Sequence, residues 1–189
     1  MAASVQPLLL DIPECVETDR LLLRATRAGM GETISQAVNE SLGELKPWMP
    51  WAREPQTPEG AEIFCRTMQA KWHSRDTLDF CIVRRSDGAL VGKGGLHTID
   101  WTVPRFEIGY WVRTSAAGQG IATEFTRALA AFARASLGAN RVEITCDSRN
   151  MRSRRVAEKS GFTLEGIHLR RRRDTAGELA DACMYARVF

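Results

Sequence analysis

With 189 residues, 44% hydrophobic and 26% charged, the chain has the composition of one globular domain, long enough to bury about 70% of its unfolded surface. Its 26 basic and 23 acidic residues leave a formal charge of +3, too little to point to nucleic acid or a membrane as partner. No run approaches the roughly 18 apolar residues of a membrane span, Leu8-Leu9-Leu10 is too short for a signal-peptide core, and five scattered cysteines with three separated histidines signal neither a disulfide framework nor a metal site, so a cytoplasmic protein is expected.

Residues 1–17 carry prolines at 7 and 13 and no period, and read as an irregular arm; residues 18–189 read as one domain without linker or repeat. Residues 20–24 predict a first strand. Over 31–45, Ile34, Val38, Leu42 and Leu45 recur at helical spacing. Three prolines between Lys46 and Pro55 then forbid regular structure. Trp48 and Trp51 on this stiffened loop are candidates to wall an acceptor site; packing between the flanking helices is the plainer reading. Thr57-Pro58-Glu59 supplies an N-cap, a proline in the first turn and an acid for the helix dipole. The helix it opens runs to about His73, with Ile63, Phe64, Met68 and Trp72 expected on one side.

Residues 78–84 and 89–96, joined through Ser86-Asp87-Gly88, predict a hairpin, and 105–112 (RFEIGYWV) a further strand rich in aromatic and branched side chains. Glu107 is a charged residue in an apolar strand: a candidate general base, or an acid turned to solvent or paired with an arginine. Next comes RTSAAGQGIATE, 113–124, then a helix over 121–137 with Ile121, Phe125, Leu129, Phe132 and Ala133 on one face, stopped by Gly138 and Asn140. A strand over 141–146, a short helix over 150–160 closed by Gly161, and a final strand over 179–188 complete one mixed α/β sheet with helices packed on it.

Glycines flanking Gln119 at a helix start leave main-chain N–H groups free for an anion such as a phosphate. A Walker loop is excluded because Ile121 follows Gly120. A dinucleotide fingerprint wants Gly or Ala where Thr123 stands, although Glu143 lies about twenty residues on, as that site requires. The third reading matches more of the chain. Gly118-Gln119-Gly120-Ile121-Ala122, followed after a strand by Asn150-Met-Arg-Ser153 and Glu158-Lys159-Ser160-Gly161-Phe162, resembles the GNAT superfamily of acyl-CoA-dependent N-acetyltransferases. Gly120 and Ala122 occupy the last two fixed positions of its [QR]-x-x-G-x-[GA] loop, with Ala117 where Gln or Arg is usual. Glu165-Gly166, Arg170, Gly177, Asp181, Tyr185 and the 45–51 loop resemble the branch that acetylates N-termini of ribosomal proteins. The resemblance runs from about residue 18 to the end.

The resemblance implies a mostly antiparallel mixed sheet flanked by helices, with acetyl-CoA as co-substrate and no metal. Its pyrophosphate would rest on Gly118, Gln119, Gly120, Ile121, Ala122 and Thr123, with charge from Arg113, and its pantetheine between strands ending near Val112 and Cys146. Backbone N–H groups near Tyr110 and Trp111 would polarise the thioester carbonyl, Ser153 would stand beside the sulfur, and Asn150 would contact the pantetheine or cap its helix. Glu107 would take the proton of an amine, the N-terminal α-amine of a protein in this branch, with a ribosomal protein as partner; a homodimer is left open. Arg170 to Arg173 would steer an acidic acceptor or form a solvated turn. Other readings are a polyamine or antibiotic acetyltransferase, with Glu44, Glu54 and Glu59 as modest support, and a non-catalytic acyl-CoA sensor or RNA-associated module.

Overall fold

The computed structural model describes residues 6–189. Eight strands form a single sheet in the order β1-β2-β3-β4-β5-β6-β8-β7, from β1 (Cys15–Glu17), β2 (Leu21–Ala25), β3 (Leu78–Arg84), β4 (Leu90–Asp100), β5 (Arg105–Val112), β6 (Arg141–Asp147), β7 (Thr163–Arg173) and β8 (Leu179–Val188). Every pairing is antiparallel except β5 with β6. The helices are α1 (Gly31–Leu45), α2 (Pro58–Ser74), α3 (Ile121–Leu137) and α4 (Met151–Lys159).

Alternation along the strands sends side chains to two cores. Phe80, Phe106 and Ile108 lie against Phe125, Leu129 and Phe132 of α3, while Cys81, Leu90 and Trp111 face Ile34 and Val38 of α1 and Ala61 and Cys65 of α2. Burying each large apolar side chain contributes about 1.5–3 kcal/mol, so α3, with eight buried residues, is firmly docked. Its ends are set by Gly120 and Gly138, at φ 79° and 68°. At α2 the Thr57 side chain accepts from the Gly60 N–H, the expected N-cap.

Three local expectations need correction. The arm contains a strand, since Cys15–Glu17 pairs with β2. Strand β7 has no sequence signal because it is the sheet edge and almost every residue is exposed, which erases alternation; the arginine run 170–173 lies in this strand and the turn follows it, at 174–178. On α2 the period is right but the phase is rotated: Ala61, Cys65 and Trp72 are buried, while Ile63 is 61% exposed and Phe64 borders the cavity described next. Among the described residues no helix is long and apolar enough to cross a membrane.

Candidate active site

The site begins where the sheet comes apart. β5 and β6 pair only through Arg105↔Arg141, Phe106↔Val142 and Glu107↔Glu143. The closed end is riveted by charge: buried Glu143 accepts from Arg105 Nη1 at 3.1 Å and Arg141 Nε at 2.5 Å, and Arg141 also pairs with Glu165. Glu143 is therefore engaged within the sheet, which removes it as the ribose-binding acid of a dinucleotide site. Beyond it the strands part, and residues 108–111 face 144–147 across a cavity of about 510 Å³.

The 113–123 loop follows directly on the parted end of β5, just outside the residues that line the cavity. Its N-terminal side is strapped to α1: Arg113 pairs with Glu40 at 2.6 Å, the Ser115 N–H donates to Glu40 Oε1 at 3.1 Å, and the Thr114 N–H donates to Ser41 Oγ at 3.0 Å. The Arg113 and Ser115 bonds hold the Glu40 carboxyl at a pKa of about 2. The expected phosphate-facing charge of Arg113 is thus committed to Glu40. On the other side Arg20 pairs with Glu124 at 2.5 Å and donates to the Gln119 carbonyl at 3.0 Å, while Thr18 Oγ1 donates to Glu124 at 2.6 Å. Between the straps Gly118 and Gly120 take φ 77° and 79°, open to glycine without strain. The first backbone bond of the helix runs from the Glu124 N–H to the Gly120 carbonyl; among the described residues nothing accepts from the N–H groups of Gly118, Gln119, Gly120, Ile121, Ala122 or Thr123. The loop is a cradle of unpaired donors at a helix start.

Midway along the cleft Asn150 caps α4, its Oδ1 accepting from the Ser153 N–H at 3.0 Å. Both residues also line the cavity, so the cap and the site coincide. Ser153 Oγ lies 3.1 Å from Tyr110 Oη. Burial pushes the Tyr110 phenol up to about 12 against the opposing Ser153 bond, and burial likewise pushes the Cys146 thiol to about 11. Both keep their protons at neutral pH. The expectation for Tyr110 concerned only its backbone; its hydroxyl is an addition that the spacing of 110 and 153 in sequence does not reveal.

The opposite wall is made of side chains. Trp48 and Trp51 border the cavity, with the Trp51 ring 6.4 Å from that of Trp111. Glu107 lines it too; β5 runs without a bulge from Val112 to Glu107, and this acid stands opposite His97 on β4. Lys93, 3% exposed, donates to Asp79 Oδ1 at 2.5 Å and Thr26 Oγ1 at 2.6 Å and lies 5.1 Å from the Phe64 ring centre. Burial opposes its charge, but Asp79, with Cys81 beyond, raises its pKa above the ordinary lysine value. Arg172 reaches the cavity from β7; of the lysines and arginines lining it, Arg172 alone has no ion-pair partner among the described residues. Lys93, Asp79, His97 and Phe64 escape sequence reasoning. The available signal is the period of two along β4, which puts 93, 95 and 97 on one face.

Among the described residues no cluster of His, Cys, Asp or Glu is arranged to hold a metal ion. The GNAT acetyltransferase domain matches residues 20–163. YdaF of Bacillus subtilis (strain 168), named as a ribosomal N-acetyltransferase, is 29% identical over 155 residues, 80% of this chain and 82% of that one. The ribosomal-protein-serine acetyltransferase of Escherichia coli (strain K12) is 27% identical over 173 residues, 90% and 94% of the two chains. Among solved structures, RimL, the ribosomal L7/L12 alpha-N-protein acetyltransferase, in complex with coenzyme A superposes with a TM-score of 0.86 at 24% identity, covering 93% of this chain and 98% of that one. The microcin C7 self-immunity acetyltransferase MccE, with acetyl-CoA and AMP, gives 0.84 at 22%, over 91% and 94%. At those identities the structures speak for the fold alone. The family match spans most of the chain, and the chain belongs to the GNAT acetyltransferases.

Proposed function

From that membership, we propose that the protein moves an acetyl group from acetyl-CoA to a primary amine, the N-terminal α-amine of an acidic protein of the ribosomal type. The observation that carries the reading is the parted sheet, with the loop of unpaired N–H groups following its β5 edge and the Tyr110–Ser153 hydroxyl pair lining the cavity. Acetyl-CoA supplies the acyl thioester. Gly118, Gln119, Gly120, Ile121, Ala122 and Thr123 hold its pyrophosphate by main-chain donors, and the 110–112 stretch of β5 with Asn150 borders its pantetheine. Ser153 and Tyr110 deliver a proton to the departing sulfur; a thiol, with an ordinary pKa near 8.5, needs only such modest help.

An α-amine, near 7.7–8.0, sheds its proton far more readily than a lysine side chain near 10.4, and Glu107 and His97 are the bases at hand. Support for an acidic acceptor comes from Arg172, which lines the cavity without an ion-pair partner among the described residues, and support for a ribosomal protein comes from the named relatives; Trp48 and Trp51 flank the same wall. Five unpaired thiols suit a reducing cytoplasm.

The test pairs melting with turnover. Acetyl-CoA at one hundred times its Kd stabilises by about 2.7 kcal/mol, roughly 5–10 °C for a domain of this size, and NAD leaves Tm unchanged. A serine-initiated peptide rich in acidic residues is acetylated in preference to spermidine. Ser153→Ala lowers turnover at least tenfold and keeps the acetyl-CoA shift, and Arg172→Glu raises KM for the acidic peptide about tenfold. No thermal shift with acetyl-CoA, or acetylation of spermidine in preference to the peptide, rejects the assignment.

A further inference from the structure

β4 and β5 stay in register from Gly92↔Val112 to His97↔Glu107, and the next pair is Asp100↔Arg105. Two residues of β4, Thr98 and Ile99, therefore oppose only Phe106: a bulge directly after His97. Thr98 takes φ 49°, which a β-branched residue adopts only when its surroundings compel it. This conformation brings Thr98 Oγ1 to 3.0 Å from His97 Nδ1, and Glu107 Oε2 lies 3.9 Å from the same nitrogen. The other edge of the ring lies over Gly109, where a Cβ would stand 2.7 Å from Nε2. Gly109 lines the cavity two residues beyond the last β5–β6 pair, and Nε2 has no hydrogen-bond partner among the described residues.

The other charged groups of the cavity narrow the choice of base. Asp79 is bound to Lys93 and Thr26, and both oxygens of Asp147 are bound to Arg149. Among the described residues, Glu107 and His97 are the remaining candidate bases of the cavity, and neither is paired with a lysine or arginine. Imidazole is the side chain whose ordinary titration lies closest to neutral pH, the condition for an efficient proton acceptor.

Resting on acetyl transfer as the reaction, we propose that Nε2 of His97 is the base that deprotonates the incoming ammonium, with Glu107 and Thr98 as positioning residues that keep the proton of the neutral ring on Nδ1. Nε2 takes one proton from the ammonium and releases it to solvent. The freed lone pair forms the C–N bond at the thioester carbonyl carbon, and the C–S bond breaks. Nε2 takes the second nitrogen proton and releases it to solvent as well, and the sulfur receives one from the Tyr110–Ser153 pair, which recovers it from solvent. One thioester and one ammonium give one amide, one thiol and one proton. Glu107 stabilises the imidazolium without itself being protonated, as a carboxylate behind a catalytic histidine does.

His97→Gly is expected to lower kcat on the serine-initiated peptide about 100-fold, to keep the full acetyl-CoA melting shift, and to recover with added imidazole. On methoxyamine, an amine already unprotonated at neutral pH, the loss shrinks to less than about 10-fold, because the first proton transfer is no longer needed. His97→Gln, which fills the site, shows the same loss without rescue and serves if the glycine variant does not fold. Nitrogen-15 NMR of the wild type shows a protonated Nδ1 and a bare Nε2. Unchanged turnover, a loss equally large on methoxyamine that imidazole does not mend, or the reverse tautomer overturns the proposal. A wild type that acetylates no amine rejects the enzymatic reading instead, while the tautomer still judges the placement of the ring.

Discussion

The two walls of the cleft are made of different material. The wall proposed for the coenzyme is backbone: N–H groups of 118–123 held open by two glycines and a helix start, strapped by Glu40–Arg113 on one side and Arg20–Glu124 on the other. The wall proposed for the acceptor is side chain: Trp48 and Trp51 from a loop, Asp79 from β3, Lys93 and His97 from β4, Glu107 from β5, Arg172 from β7. Main-chain donors suit a pyrophosphate, which every coenzyme A thioester carries. A wall of side chains is free to change with the acceptor while the fold stays as it is.

The contrast predicts different responses to damage. The largest effect is expected on the acceptor wall, where Lys93→Ala leaves Asp79 and Thr26 without their shared donor. Breaking such a buried pair costs about 3–5 kcal/mol, a fall in Tm of about 10 °C, and the double variant Lys93→Met with Asp79→Leu recovers most of it. Because the folded-state pKa of Lys93 is raised, the stabilisation is complete below about pH 10 and fades only as pH rises beyond it. An unaltered melting curve for Lys93→Ala would show that the cluster is solvated and the wall softer than drawn.

On the coenzyme wall the damage should fall on binding. Gly120→Val forces a β-branched residue to φ 79°, a cost of about 1–2 kcal/mol that reorients the N–H cradle; KM for acetyl-CoA should rise about tenfold with kcat nearly kept. A loss confined to kcat would mean the loop does not hold the coenzyme.

The smallest effect belongs to the straps. Glu40→Gln should lower Tm at neutral pH by about 2–4 °C, the equivalent of about 1 kcal/mol for a part-exposed pair. Since the Glu40 pKa is depressed to about 2, its contribution is present above the ordinary carboxylate value and is lost as pH falls from about 5 to about 2. Melting curves of wild type and variant should therefore converge in acid, and a constant gap would exclude the carboxylate as their difference.

Legibility in the sequence follows the same division. Unpaired main-chain donors leave their signature in consecutive residues, so RTSAAGQGIATE announces a helix start with free N–H groups, and β5, α3 and β8 run over 105–112, 121–137 and 179–188 as periodicity predicts. The Asn150–Ser153 cap is legible because N-capping acts over three residues. Lys93 and His97 are not, because each reaches the cavity through strand register and, for His97, beside a bulge that no local pattern encodes; Arg172 is legible as one of the run 170–173, but not as the member that a second bulge brings to the cavity. Arg113 misleads for a related reason: its charge lies in the right loop, but Glu40, 73 residues away in the chain, claims it.

Three residue pairs are all that join β5 to β6, and this divides the eight strands into a unit of five and a unit of three. Such a seam is where cooperativity is weakest, so amide hydrogens along 108–112 and 144–147 should exchange ahead of those in the paired strands on either side. A pantetheine lying in the gap would act as an extra strand, coupling the two units and slowing exchange on both banks together. Saturation with the coenzyme would then be reported far from its phosphates, as a change in how the whole sheet breathes.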